Sequence, residues 1–140
     1  EDADDDRANV YTDPAEAARF VADTGIDALA ASVGTVHGFY KAEPKLDFDR
    51  IAELRRVCGV PLVMHGGSGL SREDTRAAIA AGIRKINYFS YMSNAGVRAV
   101  EALIAEKRPK YFHALANAAT EAMQADAEAA MEMFSMVPTA

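Results

Sequence analysis

Short apolar runs recur along the chain between segments whose apolar positions fall three and four residues apart, a pattern of strands alternating with amphipathic helices. Thr12-Asp13-Pro14 opens a helix, with a capping side chain followed by proline in the first turn. Ala17, Ala18, Phe20 and Val21 form its apolar face and Gly25 ends it. Ile26 to Ser32 reads as a strand whose small residues, Ala28, Ala30, Ala31 and Ser32, suit a crowded interior or a nearby ligand. Gly38 to Phe48 reads as loop, and Asp49 to Cys58 as a helix with Ile51, Leu54 and Val57 at helical spacing. Val60 to Met64 is a buried strand. Ser71-Arg72-Glu73-Asp74 has capping-box spacing and predicts a helix to about Ala81, stopped by Gly82. Ile83 to Phe89 is a third strand and Met92 to Lys107 a helix. Beyond Pro109, Tyr111 to Phe134 is a long helix whose stripe of Leu115, Ala119, Met123, Ala127, Ala130 and Phe134 needs a partner surface.

Alternating strands and helices predict a parallel α/β sheet or barrel. Three strands leave sheet edges open, and a barrel of this type needs eight, so the chain reads as part of something larger. Its 140 residues suffice for one ordinary domain, and 50% of them are hydrophobic, enough to bury a core. A net charge of −6 and the lack of a basic stripe argue against nucleic acid as a partner. The acidic excess gathers in Glu1-Asp2-Ala3-Asp4-Asp5-Asp6, which reads as solvated loop. A single cysteine, Cys58, allows no intrachain disulfide and suits a reducing, cytoplasmic location. No apolar stretch reaches the ~20 residues of a membrane span, and no signal peptide is expected.

Chemistry concentrates at the strand ends. His37 and His65 each close an apolar run and are each followed by glycine, in Gly34-Thr35-Val36-His37-Gly38 and Leu62-Val63-Met64-His65-Gly66-Gly67-Ser68-Gly69. A lone histidine in such a place is more often a hydrogen-bonded structural residue. Two at equivalent strand ends can converge on one Zn²⁺, because side chains at the carboxyl ends of parallel strands meet in the ligand crevice. A third ligand must come from elsewhere, and His113, in the last helix, reads as surface or packing. Gly66, Gly67 and Ser68 precede the helix capped by Ser71, so backbone N–H groups and a hydroxyl can cradle a phosphate there. The plain alternative is a strand-to-helix turn; the adjacent histidine favours phosphate. Asn87 lies within an apolar strand and must be hydrogen-bonded to protein or ligand, and Ser90, at the strand end, can add a phosphate contact.

These residues resemble the class II, metal-dependent fructose-bisphosphate and tagatose-bisphosphate aldolases. The resemblance runs from Glu1 to about Ile104 and is most specific in Tyr11-Thr12-Asp13-Pro14, His37-Gly38-Phe39-Tyr40-Lys41, Glu43-Pro44-Lys45-Leu46-Asp47-Phe48 and His65-Gly66-Gly67-Ser68-Gly69. It implies an α/β fold, a (β/α)8 TIM barrel of which residues 1–108 supply the last three strands and their helices, with 109–140 as a carboxyl-terminal helical extension. It implies that His37 and His65 are two of three zinc-binding histidines, with a monovalent cation as a further candidate. It implies that Gly38, Gly66, Gly67, Ser68 and Ser90 hold a substrate phosphate, that Asn87 hydrogen-bonds the dihydroxyacetone phosphate portion, and that Glu1 takes part in proton transfer. The implied reaction belongs to carbohydrate metabolism, in glycolysis: a lyase cleaving a ketose 1,6-bisphosphate to dihydroxyacetone phosphate and glyceraldehyde 3-phosphate, in a homo-oligomer. The third zinc histidine and its neighbouring aspartate have no counterpart here, so the isolated chain is expected to be inactive. Phe89 stands where the family usually has a small or polar residue. The alternative from a different class is a non-catalytic phosphosugar-binding or regulatory relative that keeps the phosphate cradle.

Overall fold

In a computed structural model of the protein, the residues described are 11–35 and 44–136. Eight elements follow in chain order: α1 (Pro14–Thr24), β1 (Leu29–Ala30), α2 (Phe48–Cys58), β2 (Leu62–Met64), α3 (Arg72–Ala81), β3 (Ile83–Ile86), α4 (Ser90–Lys107) and α5 (Phe112–Phe134). The strands form one parallel sheet in the order β1-β2-β3. The chain divides into two compact units, residues 1–87 and 88–140.

In the first unit each helix starts on a side-chain cap. Asp13 Oδ1 accepts from the N–H groups of Ala15 and Glu16, both at 2.9 Å, with Pro14 following. Asp47 accepts from the Arg50 N–H at 2.9 Å and from Arg50 Nε at 3.1 Å, and these bonds, led by the backbone one, hold its carboxyl below the ordinary aspartate range. Ser71 accepts from the Asp74 N–H at 3.0 Å, and its hydroxyl donates to Asp74 Oδ2 at 2.7 Å. Gly25 ends α1 in the left-handed conformation, its N–H returning to Val21 O.

The core of this unit lies between the helices and one face of the sheet. Leu29, Ala31 and Val33 are buried and alternate with exposed Ala30 and Ser32, the period-two signature of a half-covered strand. Leu62 and Met64 continue that face, joined by Ile51, Leu54, Ala78 and Ile83. The ladder of β1 is shorter than the sequence predicts. Beyond Ala31, whose N–H still donates to Val63 O, the edge facing β2 passes to Asp47, whose N–H donates to Val33 O at 3.2 Å; on the opposite edge the Thr12 N–H donates to Ser32 O at 2.9 Å and Thr12 Oγ1 accepts from Ser32 N–H at 2.8 Å. Beside α1 and Leu29 lies an open depression of about 490 Å³, which shares no lining residue with the sheet's other face.

β3 carries a register shift. Leu62 pairs with Ile83, but Val63 pairs with Lys85 and Met64 with Ile86. One extra residue, Arg84, is accommodated, so Ile83 and Ile86 both turn to the core although they are three positions apart. Arg84 satisfies carbonyls of Ile79 and Ile83 at 3.0 and 2.8 Å.

In the second unit α4 and α5 pack on each other. A Cβ at Gly96 would come within 3.0 Å of the Met123 side chain, with Ala119 next to it. The apolar stripe of α5 thus finds its partner in α4 of the same chain. Tyr88 is tied to α5: its hydroxyl donates to Asp126 Oδ1 at 2.6 Å and its ring meets Phe134 edge-on, centroids 5.9 Å apart. Burial first, then the bond to Asp126, pushes the phenol well above its ordinary pKa. Among the described residues no helix is long and apolar enough to cross a membrane.

Candidate functional site

The face of the sheet away from the helices carries the candidate chemistry. Pairing of Ala30 with Val63 and of Val63 with Lys85 puts these three on one side. His65 and Asn87 follow Val63 and Lys85 at two-residue spacing. They meet there: Asn87 Nδ2 lies 2.9 Å from Nδ1 and 2.9 Å from Nε2 of His65, and the tautomer decides which ring nitrogen accepts. Lys85 Nζ donates to Asn87 Oδ1. The Asn87 amide, half-buried and one residue past β3, is therefore bonded on both ends of its carboxamide, and the backbone fixes it too. Asn87 N–H donates to Met64 O at 2.9 Å, and Asn87 O accepts from Gly67 N–H at 3.2 Å.

The glycine turn after β2 is shaped by that contact. Gly66 sits at φ +67°, in the left-handed region that favours glycine. At Gly67 a Cβ would stand 2.3 Å from Ile86 Cγ2, so only glycine lets the turn close on β3. Gly66, Gly67 and Ser68 are all buried. The Gly67 N–H donates to Asn87 O, and Gly67 serves this turn by close approach to β3. Ser71 then caps α3.

Ser90 is placed differently from the expectation of a strand end. The strand stops at Ile86 and Ser90 is the first residue of α4, after Phe89. Once Asn87 has paired with Met64 and Gly67, the chain leaves the ladder and turns into helix. His37, Gly38 and Glu1 lie outside the described residues, as do Tyr40 and Lys41. His113 is exposed and stacks on Tyr111, centroids 5.8 Å apart, in keeping with a surface role. Cys58 is buried, and burial raises its thiol pKa, which makes it a poor nucleophile or ligand. Among the described residues no three His, Cys, Asp or Glu side chains cluster as a metal site. His65 is the one expected ligand among them.

Two participants escaped the sequence reading. Thr35 Oγ1 donates to the backbone oxygen of His65 at 2.7 Å, fastening the segment two residues before His37 to the other histidine. Lys85 is the second. Both stand two positions before a candidate residue, the spacing that shares a face on extended chain, and that offset was the available signal.

A family model for class-II fructose-bisphosphate aldolase matches residues 1–137. Among solved structures, the YdjI aldolase of Escherichia coli K12 is 37% identical at a TM-score of 0.76, over 89% of this chain and 46% of that one. A putative fructose-1,6-bisphosphate aldolase from Coccidioides immitis is 33% identical at 0.76, over 90% and 44%. A fructose-bisphosphate aldolase from Campylobacter jejuni shares the fold at 0.76 with 22% identity, over 96% and 49%. The chain spans about half the length of these relatives, and its three-stranded parallel sheet and five helices match part of their barrel fold.

Proposed function

Since the chain belongs to the class-II fructose-bisphosphate aldolase family, we propose that the protein cleaves and condenses a phosphorylated ketose, a fructose- or tagatose-type 1,6-bisphosphate, with dihydroxyacetone phosphate as one fragment and glyceraldehyde 3-phosphate as the other. The observation that carries the reading is the meeting of His65 and Asn87 on the open sheet face, beside a closed glycine turn.

His65 offers an imidazole at the end of β2, the donor type a zinc ion takes. His37 is proposed as a second donor, and Thr35, two positions before it in the sequence, bonds to His65; a third would come from residues not in this chain. A bound zinc ion would supply Lewis acidity toward the substrate ketone; a monovalent cation is a further candidate in the same site. Asn87 presents amide N–H groups where oxygen gains negative charge during carbon–carbon cleavage, an arrangement that stabilises such charge without reorganisation. Gly38, Gly66, Gly67 and Ser68 are proposed to line the phosphate site, Gly67 by close approach. Ser90 is the second unit's own candidate for an anion contact, at the N-terminus of α4. Glu1 is proposed to move the proton at the substrate carbon. We place the protein in glycolytic carbohydrate metabolism, in the cytoplasm, as a homo-oligomer. A polypeptide confined to these 140 residues should not turn over, because catalytic groups that act as a unit lose most of their effect when one is missing.

The test is metal analysis of the purified full-length protein together with a triose-phosphate-coupled cleavage assay, on wild type and His65→Ala. Stoichiometric zinc and turnover, both lost in the folded variant, are expected. Turnover unaffected by His65→Ala or by chelation would refute the reading. Tight binding of the ketose bisphosphate without turnover would instead identify a phosphosugar-binding relative.

A further inference from the structure

A primary carboxamide keeps nearly the same shape when its oxygen and nitrogen exchange places, so its neighbours decide which end faces a site. At Asn87 one neighbour decides. An ammonium group has three donors and no acceptor, so Lys85 Nζ, lying against Oδ1, can only fix the oxygen on its own side. The NH2 end then has to face His65, where Nδ2 stands 2.9 Å from both ring nitrogens. The register shift makes this possible. With regular pairing from Leu62 and Ile83, Lys85 would fall opposite Met64, on the core face; the extra residue puts Lys85 beside Val63 instead, on the face of Asn87. Lys85 is exposed and makes no ion pair among the described residues.

We propose that Lys85 is a positioning residue: it locks the Asn87 carboxamide so that N–H rather than C=O faces the ligand beside His65. This rests on the proposed role of Asn87 in substrate binding. Without the lysine the amide is free to turn, and an acceptor then meets the substrate oxygen that needs a donor. Loss of one such donor lowers kcat on the order of 100- to 1,000-fold. Partial loss of orientation should therefore cost about 10- to 100-fold.

The experiment uses Lys85→Met, Lys85→Arg, Asn87→Ala and the Lys85→Met/Asn87→Ala double variant of the full-length protein. Lys85→Met should lower kcat by about 10- to 100-fold with KM nearly constant, Lys85→Arg should restore most of it, and zinc content should not change. In the Asn87→Ala background Lys85→Met should add less than about twofold, since a residue acting through Asn87 has nothing left to orient. Independently of turnover, the side-chain amide resonances of Asn87, in asparagine-selective 15N-labelled protein, should shift in Lys85→Met and return toward wild type in Lys85→Arg. Unchanged Asn87 amide resonances, or multiplicative losses in the double variant, would overturn the inference. A wild type that never cleaves a ketose bisphosphate would instead overturn the proposed activity, and the resonances would still decide whether Lys85 orients Asn87.

Discussion

Gly67→Ala tests how tightly the glycine turn is joined to β3. The added methyl would stand 2.3 Å from Ile86 Cγ2, 3.2 Å from the carbonyl oxygen of Asn87 and 3.8 Å from Ile86 Cβ. Restoring ordinary contact requires Cγ2 to retreat by about 1 Å. Ile86 is β-branched and stiff at χ1, so the strand has to move with it. Overpacking of this kind costs about 1–3 kcal/mol. The displaced strand also carries Asn87, whose carbonyl takes the Gly67 N–H, so aldol cleavage should fall together with stability. Ile86→Ala removes the clashing atom and leaves the nearest side-chain contact at the 3.8 Å of Cβ. Ile86 is only half-buried, so that change should cost about 1–2 kcal/mol, below the range for a fully buried isoleucine. The double variant should then be less destabilised than the two single variants together, by about 1–2 kcal/mol. Urea unfolding followed by far-UV circular dichroism measures the four midpoints at a common slope, and thermal melts should shift by about 2–4 °C per kcal/mol. Additivity within about 0.5 kcal/mol, or a Gly67→Ala variant as stable as wild type, would show that the turn does not press on Ile86.

Other expectations follow from single groups. Thr75 in α3 is fully buried and its Oγ1 has no hydrogen-bond partner among the described residues, so Thr75→Val should stabilise by about 1 kcal/mol in denaturant titration, and a loss of that size would reveal a partner for the hydroxyl. Asp47 caps α2 with a lowered pKa: its contribution is present above the unfolded aspartate value of about 3.9 and is lost as pH falls through the lower folded value. Asp47→Asn, which keeps the capping acceptor, should flatten the acid limb of the stability–pH curve, and an unchanged limb would remove Asp47 from it. Tyr88 has a raised pKa, so its contribution is present below the unfolded tyrosine value of about 10 and declines as pH rises past it. Tyr88→Phe strands the half-buried Asp126 carboxylate and should cost about 1–2 kcal/mol at pH 7; a neutral outcome in thermal melts would show that Asp126 rehydrates freely.

The sequence by itself determined the order and type of the elements, because caps, glycine stops and apolar spacing are local properties. Asp13 with Pro14, Ser71 with Asp74, and Gly25 act within a few residues of themselves, and the structure shows each doing so. The strand-end chemistry was legible for the same reason: His65 before two glycines, and an amide inside an apolar run at Asn87, are contradictions within a short window that only a site or a buried network resolves. Strand lengths were not legible, since past Ala31 the edge of β1 that faces β2 is taken by Asp47, whose N–H donates to Val33 O, and that contact exists only once the start of α2 has folded against β1. The partner of the α5 stripe was open until Gly96 let Met123 approach α4. The face on which Lys85 stands was decided by tertiary structure alone. Period two would group it with Ile83, and only pairing with β2 introduces the one-residue shift that sends Ile83 to the core and Lys85 to Asn87. A register is a relation between two strands, and neither strand's sequence contains it.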